Sequence, residues 1–209
     1  MKRYGEISAR QIPKLLNVNV LVCILLGVAA PFIFSLKNAE AQGASNVIEA
    51  FLSIIGIIML PAVFLPEQDS AVAELIESKP CSQTFIHCAR VLIVSLFIFL
   101  FMAFYVFIMA VQGGSFPVRD FIFGGFISAF ALGAVAFAGY GFSGNVIAGY
   151  MLAILYFILN LTAGPKKLKM FYLFSLKLGD FTPKYYILTA SIILIIITLV
   201  YKAANRKLR

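Results

Sequence analysis

The side chains that could do chemistry are few in this sequence, and they stand apart from one another. His87 is the only histidine, and Cys23, Cys81 and Cys88 lack the C-x-x-C spacing of metal and redox sites. The sequence has no G-x-x-x-x-G-K-[ST] phosphate loop. A G-x-G-x-x-G match at 139–144 lies between apolar runs and follows no strand, so we interpret it as a tight turn. We predict no catalytic residue, no metal site and no cofactor bound by this chain.

One carboxylate lies within an apolar run. Glu49 is close to one end of the run 47–65. An ionisable group inside a membrane span is a functional candidate, because a charge in hydrocarbon is costly. At this depth the side chain could instead reach the headgroup region. Two interpretations therefore stay open, a contact in a substrate path and an interfacial carboxylate.

Composition indicates which solvent surrounds the elements that carry these residues. The chain is 62% hydrophobic and 12% charged, against typical soluble values of about 45–50% and about 25%. Its net charge of +8 comes from Lys and Arg in the gaps between apolar runs and at both ends. That distribution is typical of membrane proteins. We therefore expect the lipid bilayer as a partner, and no nucleic acid.

Six runs are long and apolar enough, or nearly so, to cross a bilayer as helices, which takes about 20 residues. They are residues 15–36, 47–65, 91–111, 121–139, 146–164 and 185–201. The runs show no period-two alternation, and backbone groups in lipid must be satisfied internally, so helices are favoured over strands. We predict an all-α, polytopic membrane protein forming one transmembrane domain over residues 1–209.

The basic flanks predict the orientation of the spans. Residues 1–14 and the tail 202–209 are both basic, and six spans put both ends on one side, which should be the cytoplasm. The loop 66–90 then faces the cytoplasm too. The segment 165–184 falls outside despite its five lysines. Its Lys-flanked apolar stretch favours an interfacial or outer loop that lies flat on the membrane.

The loop 66–90 contains a short acidic helix pattern. Ser70 can cap the helix, with Glu74 close behind its positive end, and Pro80 ends it. An anionic helix is repelled by the usually anionic cytoplasmic leaflet. The acidic character therefore favours a protein partner over a resting place on the headgroups.

This loop is similar to the signature of the type-2 exporter class of ABC transporter permeases. That pattern runs roughly E-x-E-x-G-T-x-E-x-L-x-[ST]-x-P-[VI]-[ST]-R, followed by a Lys or Arg that opens the third span. The matching residues in this sequence are Glu67, Asp69, Glu74, Ser78, Lys79, Pro80, Ser82 and Arg90. It departs at Ala71, Val72 and Gln83, where Gly, Thr and Arg are usual.

The resemblance implies a function. In such permeases this loop forms a coupling helix that docks on a separate ATPase subunit, which binds ATP and Mg. The N-terminal residues 1–14 would be an amphipathic cytoplasmic segment, and 165–184 a membrane-embedded stretch. The chain would serve in the cytoplasmic membrane of a prokaryote, exporting a peptide, an antibiotic or another amphipathic molecule.

Six spans do not easily enclose a translocation path, so a second permease, identical or paralogous, is expected. Small residues on the fourth run permit close helix contact in lipid, either between subunits or within one. They occur in pairs four apart: Gly124 and Ser128, Ala129 and Gly133, Ala134 and Ala138.

Two other classes of function compete with the exporter. An ion-coupled secondary transporter would use an intramembrane carboxylate, for which Glu49 is the candidate. A membrane enzyme or scaffold subunit is the other class. An intramembrane hydrolase would need a nucleophile–base pair or a metal cluster, which the sequence does not offer.

Overall fold

The computed structural model describes the backbone of residues 2–68 and 83–207, and the side chains of 18–64 and 84–204. The described chain is helical, with short connections and no strand within these ranges. Its one β-type pairing is an isolated bridge between Glu40 and Ser115. The all-α prediction is confirmed for this part of the chain.

Seven α-helices and four segments of other helical types follow one another along the described chain. They are α1 (Lys2–Ile33), α2 (Ala41–Ser45), a π-helix (Asn46–Leu52), α3 (Ile54–Met59), a 3-10 helix (Pro61–Gln68), α4 (Gln83–Val111), α5 (Val118–Ser143), α6 (Val146–Leu168), two 3-10 turns (Lys169–Phe171 and Ser175–Leu178) and α7 (Thr182–Lys207).

Five stretches are helical, long and apolar enough to cross a membrane. They are Ala41–Phe64, Thr84–Val111, Val118–Ser143, Val146–Phe171 and Thr182–Ala204. The described part of α1 adds a shorter apolar helix, Val18–Ile33. The chain is therefore a multi-pass helical membrane protein. A sixth span in α1 stays a prediction, as does an amphipathic segment at 1–14, where the α1 backbone runs on from Lys2 without a break.

Two boundaries differ from the sequence predictions. Helix α4 begins at Gln83, so Arg90 lies about two turns inside it and does not open it. The segment from Gln83 to Arg90, in which polar and apolar residues are mixed, extends the helix beyond the apolar run. The predicted turn at 139–144 is also much shorter, because α5 continues to Ser143 and only Gly144, at φ 71°, leaves the helix.

The stretch Ala41–Phe64 and helix α5 form the centre of the bundle, each 78% buried within the chain, while the other three spans are largely exposed. Their backbones touch. A methyl group at Gly56 would lie 1.7 Å from the Ala129 carbonyl oxygen, and one at Gly133 would lie 2.7 Å from the Gly56 carbonyl oxygen. The small residues of α5 thus serve packing within this chain.

The bundle has two ends. At the Glu49 end, the connections after α1 and α4 pair through the Asn38 N–H and the Gln112 carbonyl (3.2 Å). At the opposite Phe64 end, the Lys202 ammonium of α7 lies 3.9 Å from the centre of the Phe64 ring. Both termini of the described chain and both ends of the loop 66–90 belong to the Phe64 end, because the helices alternate in direction.

Candidate functional site: a buried ion pair and the embedded connection

The connection between α6 and α7, residues 169–181, is partly buried in the bundle at the Glu49 end. We call it the embedded connection. Four successive residues from Leu173 to Leu176 are at most 6% exposed, although their backbone is not α-helical. Buried irregular backbone must find its hydrogen-bond partners in the protein, because water does not reach it. The surrounding helices supply them from side chains.

Helix α6 provides two of these side chains. The Tyr156 hydroxyl donates to the Phe171 carbonyl at 2.9 Å. The Asn160 side-chain oxygen accepts from the Leu173 N–H at 2.7 Å, and its amide nitrogen donates to the Tyr156 carbonyl at 3.0 Å. Asn160 is fully buried, so both ends of its amide are used. This polar residue inside an apolar run therefore holds the connection against α6.

Lys184, in the first turn of α7, provides the strongest contact. Its ammonium group is fully buried and donates to the Glu49 carboxylate, to the Ser128 hydroxyl (2.6 Å) and to the Leu173 carbonyl. An ammonium group has three donors, and all three are satisfied. One side chain thus joins the stretch Ala41–Phe64, α5, α7 and the embedded connection.

Glu49 occupies the π-helix Asn46–Leu52 and is fully buried. Besides the ammonium group of Lys184, the Leu176 N–H donates to its Oε1 at 3.4 Å. Its Oε2 has no hydrogen-bond partner among the described residues, and neither does the buried Ser175 hydroxyl. A π-helix inserts an extra residue into the helical turn, and such segments occur frequently at functional sites. Here it places a carboxylate on the inward face of the span.

The ion pair leaves no net charge in the cluster, because one carboxylate faces one ammonium group. At Tyr172, burial raises the pKa of the phenol above its ordinary value, and the negative charge of Glu49 raises it further. The phenol therefore stays neutral near physiological pH. The arrangement is suited to fixing the embedded connection to three spans rather than to attacking a substrate.

The position of Glu49 differs from one of the two sequence interpretations. A carboxylate that reaches the headgroups should be exposed, and this one is fully buried and ion-paired. Burial within the chain does not favour an exposed interfacial carboxylate, and both the interfacial interpretation and a contact in a substrate path stay predictions. Lys184 was missed, because the sequence assigns it to the outer segment 165–184. Glu49 itself could have pointed to Lys184, because a buried carboxylate needs a positively charged partner close by.

A second cluster lies at the Phe64 end. The Phe64 ring stacks on Phe137 and Tyr140, with centroid distances of 4.4 and 4.5 Å, and meets His87 edge-on at 5.0 Å. Lys202 covers the same ring. Residues from four spans thus meet around the ring that precedes the loop 66–90.

Arg90 connects the two ends of that loop. Its guanidinium group donates to the Val63 carbonyl at 3.0 Å, and the residue is 6% exposed. Glu67 lies in the 3-10 helix Pro61–Gln68, which also contains Phe64. The other predicted coupling residues lie outside the described residues: Asp69, Ala71, Glu74, Ser78, Lys79, Pro80 and Ser82. The coupling helix itself therefore stays a prediction.

Within the described ranges, no three His, Cys, Asp or Glu side chains come together in a way that could hold a metal ion. Comparison with protein-family models, with curated proteins and with solved structures finds no match to this chain. The resemblance to ABC exporter permeases accordingly rests on the sequence alone, and mainly on the loop 66–90.

Proposed function

We propose that this chain is the membrane-spanning permease subunit of an ATP-binding-cassette exporter. A separate ATPase subunit would bind ATP and Mg and dock on the loop 66–90. The cargo would be a peptide, an antibiotic or another amphipathic molecule, and a second permease would complete the path. The cytoplasmic membrane of a prokaryote, with both termini inside, is the location that this proposal requires.

The observation that carries the proposal is the contact between Arg90 and the Val63 carbonyl. Arg90 is the last matching residue of the exporter signature. A coupling loop must pass a force to the helices, and its two ends must therefore move together. The buried hydrogen bond between Arg90 and Val63 joins those two ends. Displacement of the loop would therefore move the stretch Ala41–Phe64 and α4 as a unit.

The Phe64 cluster extends this link to the rest of the bundle. Phe64 packs on α5 through Phe137, and on α7 through Lys202. A packed core transmits displacement because it is close to incompressible. A partner that binds the loop would therefore act on four spans through one aromatic ring.

The test is an affinity purification of the full-length chain from mild detergent. Wild type is compared with the double variant Glu74→Lys/Pro80→Ala in the loop, and with Lys177→Ala in the embedded connection as a control. We expect wild type and Lys177→Ala to retain a soluble ATPase subunit, and the loop variant to lose it. No ATPase with any of the three would remove the main support for the exporter.

The alternative is an ion-coupled secondary transporter that uses Glu49. The Oε2 of this carboxylate has no hydrogen-bond partner within the described part of the chain, which favours the carrier. The ion pair with Lys184 weighs against it, because the charge is already compensated. Uptake or export in proteoliposomes separates the two proposals. The exporter needs ATP and the partner subunit, and the carrier needs only an ion gradient.

A further inference from the structure

A cavity of about 320 Å³ lies between the end of α6, the embedded connection and the start of α7. It begins after the kink at Gly164, whose φ of 67° and ψ of 177° interrupt the helix ahead of Pro165. One span ends at Phe171 and the next begins at Thr182. From these span bounds we infer that the cavity lies near the level where the hydrocarbon meets the headgroups, at the Glu49 end.

The walls carry one positive and one negative group. Lys169 and Asp180 are the only charged residues among those that line the cavity. Lys169 makes no ion pair or hydrogen bond through its side chain with any described residue, and its φ of 44° is unusual for a residue with a side chain. The Asp180 Oδ1 accepts from the Thr182 N–H at 2.9 Å. The lining is thus neutral in total but has two separate charged poles.

The remaining walls suit an ammonium group and an apolar tail. Tyr172 and Tyr186 line the cavity, and aromatic faces attract cations. Ser175 also lines it, is 1% exposed, and has a hydroxyl without a hydrogen-bond partner among the described residues. Leu178 in the lining is 59% exposed and offers an apolar rim.

From this arrangement we propose that the cavity binds the headgroup of a zwitterionic phospholipid that carries a primary ammonium group. Lys169 binds the phosphate, and Asp180 with the tyrosine faces binds the ammonium. The Ser175 hydroxyl accepts an ammonium N–H, which gives the buried hydroxyl its missing partner. The acyl chains leave over the apolar rim. The proposal requires only that the chain lies in a membrane, and it is independent of the ATPase.

The lipid class follows from the two poles. An anionic headgroup such as phosphatidylglycerol would satisfy Lys169 but would leave Asp180 facing a second negative charge. A choline headgroup has no N–H to donate to Ser175. Phosphatidylethanolamine satisfies all three groups.

Native mass spectrometry of the full chain, delipidated and then exposed to defined lipids, tests the proposal. We expect wild type to retain phosphatidylethanolamine over phosphatidylglycerol. Lys169→Ala should lower that retention by about tenfold or more, the effect of losing one hydrogen bond to a charged group. Asp180→Asn keeps a residue that can cap a helix and should remove the preference for ethanolamine. Lys177→Ala, an exposed lysine of the same connection that does not line the cavity, is the matched control.

Three results would overturn the proposal. Equal retention of the two lipids by wild type would remove the zwitterion requirement. Equal losses in Lys169→Ala and Lys177→Ala would indicate nonspecific attraction to positive charge. Complete displacement of the lipid by soluble glycerophosphoethanolamine would make a free headgroup, and not the membrane lipid, the ligand.

Discussion

The ammonium group of Lys184 in α7 donates to the carboxylate of Glu49 in the π-helix, and both side chains are buried inside the bundle. Two buried charges are stable only together, because each one alone must bear its full desolvation cost. The pair therefore links the stretch Ala41–Phe64 to α7.

Removing one partner of this pair should destabilise the protein. We expect Glu49→Leu or Lys184→Met alone to lower the free energy of unfolding by about 3–5 kcal/mol, since the remaining charge is buried without compensation. The double variant should lose less free energy of unfolding than the two single variants combined, because it leaves no charge buried alone. The Leu173 carbonyl keeps a donor in that variant, the Ser128 hydroxyl at 3.2 Å. Unfolding in mixed detergent micelles measures all three. Strictly additive losses would contradict a direct pair, and Lys177→Met is the exposed control.

Asn160→Leu should loosen the embedded connection without unfolding the bundle. The change removes the acceptor of the Leu173 N–H, and leaving a buried donor unsatisfied costs about 1–3 kcal/mol. Hydrogen exchange at the Leu173 amide should accelerate accordingly. Thr162→Val is the control on the same helix, because the Thr162 hydroxyl bonds only to carbonyls of its own helix and is exposed. Unchanged exchange at Leu173 in Asn160→Leu would refute this role.

Gly56→Ala should be among the most damaging single changes in the centre of the bundle. Its methyl group would lie 1.7 Å from the Ala129 carbonyl, so the two backbones must separate. Overpacking of this kind costs typically about 1–3 kcal/mol or more. Gly43→Ala meets no atom within 4 Å and serves as the control. Thermal midpoints in detergent compare the two, and equal midpoints would argue against the backbone contact.

The start of α7 should lose stability in acid. The Thr182 N–H holds the pKa of the exposed Asp180 carboxyl below its ordinary value. A group whose pKa is lowered by folding stabilises the protein above its unfolded value, and that contribution is lost as the pH falls through the lowered pKa. The stability difference between wild type and Asp180→Ala should therefore shrink below about pH 4. A difference that is constant with pH would mean that the charge contributes nothing.

The sequence allowed the helices to be predicted but not the site. Long, continuously apolar runs form helices in lipid, because their backbone groups must bond within the segment. The five spans therefore lie close to their predicted positions. A segment of mixed polar and apolar residues such as that from Gln83 to Arg90 carries no such constraint, and there the predicted helix began late. The π-helix around Glu49 has no sequence signal, since nothing in the residues 46–52 distinguishes it from an α-helix. The roles of Asn160 and Lys184 could not be predicted, because their partners are known only once the chain is folded.

The separation of Glu49 and Lys184 along the chain, 135 residues, has a consequence for biosynthesis. During translation, Glu49 enters the membrane long before its partner leaves the ribosome. Until α7 is inserted, the stretch Ala41–Phe64 carries a carboxylate without its partner, and this charge makes the stretch less stable in hydrocarbon. We therefore expect the stretch Ala41–Phe64 to be stable in the membrane only once α7 is inserted, and a chain that ends before Lys184 to keep a buried carboxylate without its partner.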